Sequence, residues 1–408
     1  MATAARKYDL YSDAFRAETY ATFARMRDQD PVICQPGIDG ETPIWWVTRY
    51  DDAEAVLRDD ERFVRDPRLA LPPEQLREGL PEFLAFIDSN MLNRDGDDHT
   101  RLRRLVSKAF TPRMIERLRP RIQEIADALI DPVSTVGEME LVSAFAFPLP
   151  ITVIAELLGV PAADRTRFRE WSAAMVTPAL AAAEAEQADA SLTAFVEYLL
   201  ALFSERRQKP GEDLVSALVV VEDGGDTLSE EELCSMVALL IVAGHETTVS
   251  LIGNATLALL THPEQRSALE QDPSLLPRAV EELIRYDGPV ERTLNRWAAE
   301  DVELRGHTIR RGDLVIVVVG AADRDPERFE NPDTLDLAAG RKSRHLGFGR
   351  GPHFCLGAPL ARLEAEIALG TLLRRLPGLR LAIAEGELRW RPVPLFRSLV
   401  ALPVAWDA

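Results

Sequence analysis

Residues 348–357 have the sequence Phe-Gly-Arg-Gly-Pro-His-Phe-Cys-Leu-Gly, which carries more chemical information than any other part of the chain. The alternating glycines of residues 347–351 suggest a phosphate-binding loop at first sight. Their spacing is not that of the dinucleotide fingerprint, however, and no Lys-Ser/Thr pair follows as it does in a P-loop. A zinc site is not indicated either, because His353 and Cys355 have no second Cys/His pair at finger spacing.

A helical pattern follows this stretch, with Leu360, Leu363 and Ile367 on one side. Cys355 is therefore predicted to lie at a helix N-terminus, where the helix dipole and the unbonded N–H groups favour thiolate over thiol. The neighbouring glycines allow the backbone to approach a flat ligand closely. A single thiolate on such a loop suits one axial bond to haem iron. The alternative is that Cys355 is an inert buried thiol.

The stretch resembles the haem-binding signature of cytochromes P450, since every fixed position is matched by Phe348-Gly349-x-Gly351-x-His353-x-Cys355-x-Gly357. Other motifs fall in the family's order along nearly the whole chain. The resemblance implies a mainly α fold with a minor β portion, as a single domain over residues 1–408 with a long central helix, the family's helix I. It also implies haem b as cofactor, with the Cys355 thiolate as the axial metal ligand.

Local patterns in the chain agree with a mostly α fold. Ser229 and Glu232 form a capping box at the start of a helix that we predict to end at Thr261, ahead of Pro263. Residues 63–98 hold many Pro, Gly and Asp residues and predict a long loop with short helical turns. Further helices are predicted at residues 149–158, 163–177, 181–206 and 212–221. Strand patterns are few, at residues 44–48, 302–304, 314–319 and parts of 387–405.

A motif midway along the long predicted helix has the sequence Ala243-Gly244-His245-Glu246-Thr247-Thr248. Glycine inside a helix costs about 1 kcal/mol relative to alanine, so Gly244 calls for a reason. One interpretation is close helix packing at Gly244, with Glu246 and Thr247 on a solvated face. The family resemblance implies the oxygen-binding motif instead, in which small residues leave room over the iron and Glu246 and Thr247 relay protons.

The resemblance also implies four residues that bind the haem propionates. His99 and Arg103 are one helical turn apart and share a face. Arg296 matches a third such residue, and His353 matches a fourth. Cationic or N–H donor groups are what a carboxylate requires. Each of the four could otherwise be an ordinary solvated or structural side chain.

Two further positions bear on the core around the cysteine. Glu282-x-x-Arg285 resembles the family's helix K motif, whose buried pair has a structural role; on its own the pattern equally fits a surface ion pair worth about 0.3 kcal/mol. Asp323 stands where many members of the family carry asparagine, and no change of chemistry is expected from it.

Composition excludes several function classes. With 66 acidic and 47 basic residues, the formal charge is −19 at pH 7, so nucleic acid is a poor candidate ligand. The cysteines Cys34, Cys234 and Cys355 cannot form a disulfide framework, which indicates a reducing compartment. No apolar signal region opens the chain, and its longest apolar stretch, residues 233–244, is too short for a membrane span. We expect a cytoplasmic protein without a membrane partner.

The resemblance implies a haem-thiolate monooxygenase that inserts one oxygen atom from O2 into an apolar small molecule, by hydroxylation or epoxidation. One alternative is a peroxide-driven peroxygenase, which often lacks the acid–threonine pair that Glu246 and Thr247 supply. Another is a non-catalytic haem-binding sensor, although the chain shows no output domain. Only about 50 residues follow Cys355, too few for a fused reductase. Electrons are therefore expected from a separate ferredoxin and ferredoxin reductase.

By the family's layout, the substrate pocket takes side chains that are mostly apolar, which suits a steroid, terpenoid, polyketide or fatty-acid-like molecule. They include Phe83, Phe86, Leu92, Trp171, Leu239, Leu240, Ala243, Val290, Leu294, Leu395 and Phe396. Glu291 lies among them and could face either a polar group or water.

Basic residues are expected on the cysteine side of the molecule, where they would orient an acidic ferredoxin despite the negative net charge. They are Arg101, Arg104, Lys108, Arg113, Arg341, Lys342, Arg344, Arg350 and Arg362. For any one of them, ordinary solvated charge is the competing interpretation.

Overall fold

The computed structural model describes residues 6–76, 89–168, 171, 182–338, 340–341 and 344–408. Its α-helices, in chain order, are α1 (Asp13–Ala17), α2 (Thr19–Gln29), α3 (Tyr50–Arg58), α4 (Gly96–Ala109), α5 (Pro112–Arg117), α6 (Arg119–Ile130), α7 (Pro148–Leu157), α8 (Ala182–Gln208), α9 (Leu214–Leu218), α10 (Glu230–Thr261), α11 (Pro263–Gln271), α12 (Leu276–Asp287), α13 (Val319–Ala322) and α14 (Ala358–Arg375). The predicted mainly α fold is confirmed.

The minor β portion consists of short strands: β1 (Val32–Pro36), β2 (Pro43–Val47), β3 (Phe63–Val64), β4 (Glu138–Glu140), β5 (Arg296–Ala298), β6 (Val302–Leu304), β7 (His307–Ile309), β8 (Leu314–Val317), β9 (Arg380–Leu381) and β10 (Pro403–Ala405). They form a five-stranded sheet of order β1-β2-β8-β5-β3, a three-stranded sheet of order β4-β10-β9, and the hairpin β6-β7. The β2–β8 pair is parallel, with Ile44 opposite Leu314, and the other pairs are antiparallel.

The chain divides into two compact units. The first comprises Met1–Leu76, Ala126–Ala146 and Thr247–Ala408, and the second comprises Arg77–Ile125 and Phe147–Glu246. The first unit holds all three sheets. One of its apolar cores lies between the five-stranded sheet and α3, with Val47, Leu57 and Val315 fully buried. The single domain expected over residues 1–408 remains a prediction.

The long helix α10 is the element that the sequence located best. The Ser229 hydroxyl accepts a hydrogen bond from the Glu232 N–H at 3.1 Å, and the Glu232 carboxylate accepts one from the Ser229 N–H at 2.9 Å. This is the predicted capping box, and the helix ends at Thr261 as expected. Within the described residues, α10 alone is long and apolar enough to cross a membrane, and 72% of its most apolar window is buried in the protein.

Other boundaries differ from the predictions for local reasons. The strand predicted at residues 314–319 ends at Val317, because the chain turns into α13 at Val319. The helix predicted at residues 212–221 is only Leu214–Leu218, with the Asp213 carboxylate capping its start. The loop at residues 63–98 contains the predicted helical turns, at Pro67–Leu69, Pro73–Gln75 and Met91–Asn93. Part of that loop and most of residues 163–177 lie outside the described residues.

The Glu282–Arg285 pair is buried, so the surface alternative is wrong. Arg285 donates two hydrogen bonds of 2.8 Å to the Glu282 carboxylate, and both side chains are at most 6% exposed. Arg341 donates a further bond of 2.8 Å to the same carboxylate. Arg285 also donates to the carbonyl oxygens of Asp323, Pro332 and Thr334. A buried pair with its remaining donors satisfied in this way ties α12 to the irregular chain that leads to the cysteine loop.

Candidate functional site

The cysteine loop closes on itself through backbone hydrogen bonds. The Cys355 N–H donates to the Phe348 carbonyl at 2.9 Å, and the Phe354 N–H donates to the Gly351 carbonyl at 3.0 Å. Cys355 lies two residues before Gly357, the N-cap of α14, so the predicted position at a helix N-terminus is confirmed. The cysteine is only partly buried.

Glycine is required at one position of this loop by close packing. Gly351 has φ +71°, in the left-handed region, and a Cβ there would lie 2.7 Å from the Leu57 carbonyl oxygen and 2.9 Å from Arg58 Cα. Gly349 also has a positive φ, +72°, but a Cβ there would meet nothing closer than 3.8 Å. The loop thus rests directly on the C-terminus of α3, and only Gly351 permits that approach.

Charged side chains fasten the start of the loop to α12 and α14. The Arg362 guanidinium lies 4.5 Å from the centre of the Phe348 ring and donates to the Glu281 carboxylate at 2.5 and 2.9 Å. The His345 Nε2 lies 3.3 Å from the same carboxylate. Burial alone would raise the pKa of Glu281, but the hydrogen bonds from His345 and Arg362 outweigh it and lower the pKa to about 2. The carboxylate therefore remains charged and holds both partners.

Asp323 holds the residue at which the loop begins. Its carboxyl oxygen accepts a hydrogen bond of 2.6 Å from the Leu346 N–H, and the residue is 1% exposed. Burial raises the pKa of Asp323 to about 6. An asparagine oxygen would accept the same bond, which agrees with the expectation that the asparagine of related sequences can be replaced here without a change of role.

A stripe of exposed and partly buried residues runs along the middle of α10. Ala243 is exposed, and Leu239 and Thr247, one turn before and after it, are half-buried, although most of the helix around them is buried. Among the described residues, a Cβ on Gly244 would touch Ile154 Cδ1, at 3.8 Å, which is an ordinary contact distance. Glu246 is 7% exposed, so it does not lie on the solvated face that the packing interpretation expects for it. Thr247 is half-buried, and the roles of both residues remain predictions.

The structure places the predicted site residues in both units. Cys355, His353, Arg296 and Thr247 belong to the first unit, and His99, Arg103 and Glu246 belong to the second. Arg296 starts β5, is 3% exposed and donates to the Phe63 carbonyl at 2.8 Å.

His99 is also 3% exposed, and Arg103 is half-buried one turn later on α4. The first unit thus holds a buried guanidinium, that of Arg296, and the second a buried imidazole, that of His99. The charge of a bound carboxylate would offset the cost of burying such a cation. Within the first unit, a thiol at a helix N-terminus and the Arg296 guanidinium fit the chemistry of haem, which needs an axial ligand and partners for its propionates.

Most of the predicted docking charges have internal partners. Arg350 lies 3.4 Å from Glu54, and Arg341 and Arg362 bind Glu282 and Glu281 as described above. In the second unit, the Asp223 carboxylate binds Arg104 and also Lys108, the latter at 2.6 Å. Lys342 lies outside the described residues. These residues therefore mainly form ion pairs within the protein. The sequence did not indicate this, because the acidic partners of the arginines near the cysteine loop lie 59 to 296 residues away.

Some of the predicted pocket residues can be placed. Trp171 is 6% exposed and packs against Phe195 and Tyr198, with ring centres 5.8 and 5.1 Å apart. Val290 and Phe396 form an isolated β-bridge. Phe83 and Phe86 lie outside the described residues.

Comparisons with known proteins show which family the chain resembles. The family model for cytochrome P450 matches residues 167–377. The chain is 47% identical over 395 residues to the cytochrome P450 monooxygenase PikC of Streptomyces venezuelae, covering 96% of this chain and 92% of that protein. It is 43% identical over 394 residues to the polyketide biosynthesis cytochrome P450 PksS of Bacillus subtilis (strain 168), covering 96% of each. The structure of the myxobacterial cytochrome P450 CYP267B1 in complex with myristic acid superposes with a TM-score of 0.90 at 47% identity, covering 98% of this chain and 99% of that one.

Proposed function

Because the chain belongs to the cytochrome P450 family and is a haem-thiolate monooxygenase, we propose that it inserts one oxygen atom from O2 into a C–H or C=C bond of an apolar small molecule. The observation that carries the proposal is the geometry of the cysteine loop. A thiol at a helix N-terminus, on a loop fixed by its own backbone bonds and by Gly351, is preorganised to serve as a single axial ligand.

The cofactor we propose is haem b. Cys355 would supply the thiolate, while His99, Arg103, Arg296 and His353 would bind the propionates through charge-assisted hydrogen bonds. When bound, haem supplies the oxidation chemistry: one oxygen atom of O2 enters the substrate and the other leaves as water, with two electrons and two protons consumed.

Glu246 and Thr247 would manage those protons. The buried Glu246 carboxyl is shielded from bulk water, and the Thr247 hydroxyl, which is half-buried in the accessible stripe of α10, can donate a proton toward the oxygen-binding side. A threonine hydroxyl in a helix can also bond the carbonyl one turn back, which fixes its direction. A peroxygenase has no need of this pair, so its presence favours the O2-dependent reaction.

The substrate class and the electron donors are part of the same proposal. The mostly apolar segments assigned to the pocket suit a polyketide or fatty-acid-like molecule, in keeping with the names of PksS and of the CYP267B1–myristic acid complex. Electrons would come from a separate ferredoxin and its reductase, and the reaction would take place in the cytoplasm.

The axial ligand provides the test. Reduced protein exposed to carbon monoxide should show the red-shifted Soret band of thiolate ligation, and Cys355→His should abolish that band. Cys34→Ser and Cys234→Ser are matched controls. Burial raises the pKa of the Cys234 thiol to about 12, which keeps it protonated, and Cys34 lies within β1 and not at a helix N-terminus. A thiolate spectrum that survives in Cys355→His, or the absence of oxygenated product with a ferredoxin system and a panel of fatty acids and macrolides, would contradict the proposal.

A further inference from the structure

A buried ion cluster in the first unit surrounds Glu291. Arg16, on α1, donates to Glu291 Oε2 at 2.7 Å, and Arg292 donates to Oε1 at 3.0 Å. The three side chains are 6%, 1% and 3% exposed. Of the two alternatives, a polar group or water, Glu291 therefore faces polar groups, namely two protein cations.

The second contact of Arg16 reaches another part of the chain. The same guanidinium donates to the Val393 carbonyl at 2.8 Å. Arg16 therefore joins residues 289–293 to residues 393–397, which are also linked by the Val290–Phe396 bridge.

Backbone hydrogen bonds continue that link on either side of the bridge. The Glu291 N–H donates to the Leu395 carbonyl at 3.1 Å, and the Arg397 N–H donates to the Pro289 carbonyl at 2.9 Å. A β-bridge flanked by only two hydrogen bonds is a short ladder with little stability of its own. The Arg16 side chain, which bonds to both segments, therefore helps to hold them in place.

The two sides of this ladder differ in burial. Glu291, Arg292 and Arg397 are buried on the side of the ion cluster. Val290, Leu395 and Phe396 are only partly buried, and Leu294 is 40% exposed. Val290 and Phe396 are opposite each other in the bridge, so their side chains share one face, and that face is apolar and accessible. Leu395 lies on the other face, with the buried Glu291 and Arg397.

Arg292 is itself held rigidly. Its guanidinium lies 5.3 Å from the ring centres of Tyr11, Phe15 and Trp46, and it donates to the Leu10 carbonyl at 2.5 Å. Stacking of a guanidinium on aromatic faces in a buried setting stabilises one orientation of the cation. Glu291 thus has one immobile partner, and Arg16 is the partner that reaches the second segment.

We propose that Arg16 is a positioning residue for the substrate pocket: by clamping Glu291 and the Val393 carbonyl, it sets the placement of the Val290 and Phe396 side chains toward the ligand. The proposal rests on the proposed function, since it takes the accessible side of this ladder as a wall of the pocket. A wall displaced by a fraction of an ångström changes the affinity for ligands that touch it, and leaves ligands that do not reach it unaffected.

The test compares two azoles that differ only in how far they reach. Imidazole and 4-phenylimidazole both coordinate haem iron through a ring nitrogen and shift the Soret band, but only the phenyl group needs a pocket wall. Arg16→Met leaves Glu291 paired with Arg292, so no carboxylate is left uncompensated. We expect it to raise the ratio of the 4-phenylimidazole Kd to the imidazole Kd about tenfold, the loss of roughly one good contact.

Two further variants make the result decisive. Arg206→Met is the matched control, because Arg206 in the second unit also joins a carboxylate, Asp213, at 2.9 Å to a carbonyl, that of Gly159, at 2.8 Å. Its loss should leave the Kd ratio unchanged. Arg16→Lys keeps a charge beside Glu291 but cannot also reach Val393, so it should raise the ratio by a smaller factor, and it decides the question if Arg16→Met does not retain haem.

An unchanged ratio in an Arg16 variant that retains haem would overturn the inference, as would an equal rise in Arg206→Met. A wild-type protein that shows no Soret response to imidazole would instead refute the proposed function, and the inference would fall with it.

Discussion

Glu364 on α14 is a buried acid that the proposed reaction does not use. It is 1% exposed, and its Oε2 has no hydrogen-bond partner among the described residues. Burial raises the pKa of Glu364 from 4.5 to about 8. The group is therefore protonated in the folded protein at neutral pH and ionised in the unfolded chain.

This difference predicts how stability changes with pH. The pKa of Glu364 is higher in the folded protein than in the unfolded chain. The stabilisation that its protonated carboxyl provides is therefore fully present below about pH 4.5 and is lost as pH rises toward 8. Over each pH unit in which the folded protein holds this proton and the unfolded chain does not, the free energy of unfolding falls by about 1.36 kcal/mol. The folded protein therefore loses about 3 kcal/mol of stability between about pH 5 and pH 8. Glu364→Gln preserves the shape and cannot ionise. We expect the difference in stability between the variant and wild type to shift by about 3 kcal/mol in favour of the variant between pH 5 and pH 8.

The assay is urea unfolding of the holoprotein, followed by circular dichroism at both pH values. Glu264→Gln is the control, since Glu264 is an exposed glutamate in the first turn of α11, and its substitution should shift both curves equally. Infrared difference spectra should also show the carbonyl band of a protonated carboxyl in wild type at pH 6, absent from the variant. Parallel stability curves for wild type and Glu364→Gln between pH 5 and pH 8 would refute the reasoning.

Three further predictions concern the site and its partner. Thr247→Ala should retain haem but divert electrons into peroxide, because a positioned proton-transfer group contributes about 10²–10⁴-fold; product per NAD(P)H consumed, with peroxide counted, measures this, and unchanged coupling would contradict it. Gly351→Ala should lower the haem-to-protein ratio sharply, since its Cβ meets the Leu57 carbonyl oxygen at 2.7 Å, whereas Gly349→Ala should suffer only the backbone strain of about 1–2 kcal/mol; equal losses would show that packing against α3 is not the cause. Asp223→Asn should release the charges of Arg104 and Lys108 and so speed reduction by an acidic ferredoxin at low salt, leaving reduction by dithionite unchanged; no gain at low salt would exclude these residues from the docking surface.

The parts of the fold that sequence located correctly are those with local causes. The capping box at Ser229 and Glu232 and the helix-breaking Pro263 lie next to the boundaries they set, so α10 could be predicted at both ends. The position of Cys355 at a helix N-terminus follows from the same kind of short-range pattern. Such features depend on hydrogen bonds within one turn, which a stretch of a few residues contains in full.

The parts that sequence missed depend on distant partners. β5 has three residues, and its strand character comes from pairing with β3 and β8, which no local pattern encodes. Glu291 lies 275 residues from Arg16, so neither residue by itself indicates a buried pair. Two arginines beside one carboxylate would also be a poor prediction from charge alone, because the aromatic rings around Arg292 are what make the excess cation tolerable.

The arginines near the cysteine show why a count of basic residues is a weak guide to a docking surface. Arg341, Arg350 and Arg362 lie within 14 residues of Cys355, yet each is paired with a glutamate of α3 or α12. Pairing of this kind restrains the backbone that carries the thiol, and a restrained ligand loop keeps its geometry when the iron changes charge during electron transfer. We predict that a redox partner is recognised by exposed basic residues for which no ion pair is seen among the described residues, such as Arg113 and Arg344. On this prediction, fastening and docking draw on separate arginines, and a substitution at an exposed one would alter the affinity for a partner without moving Cys355.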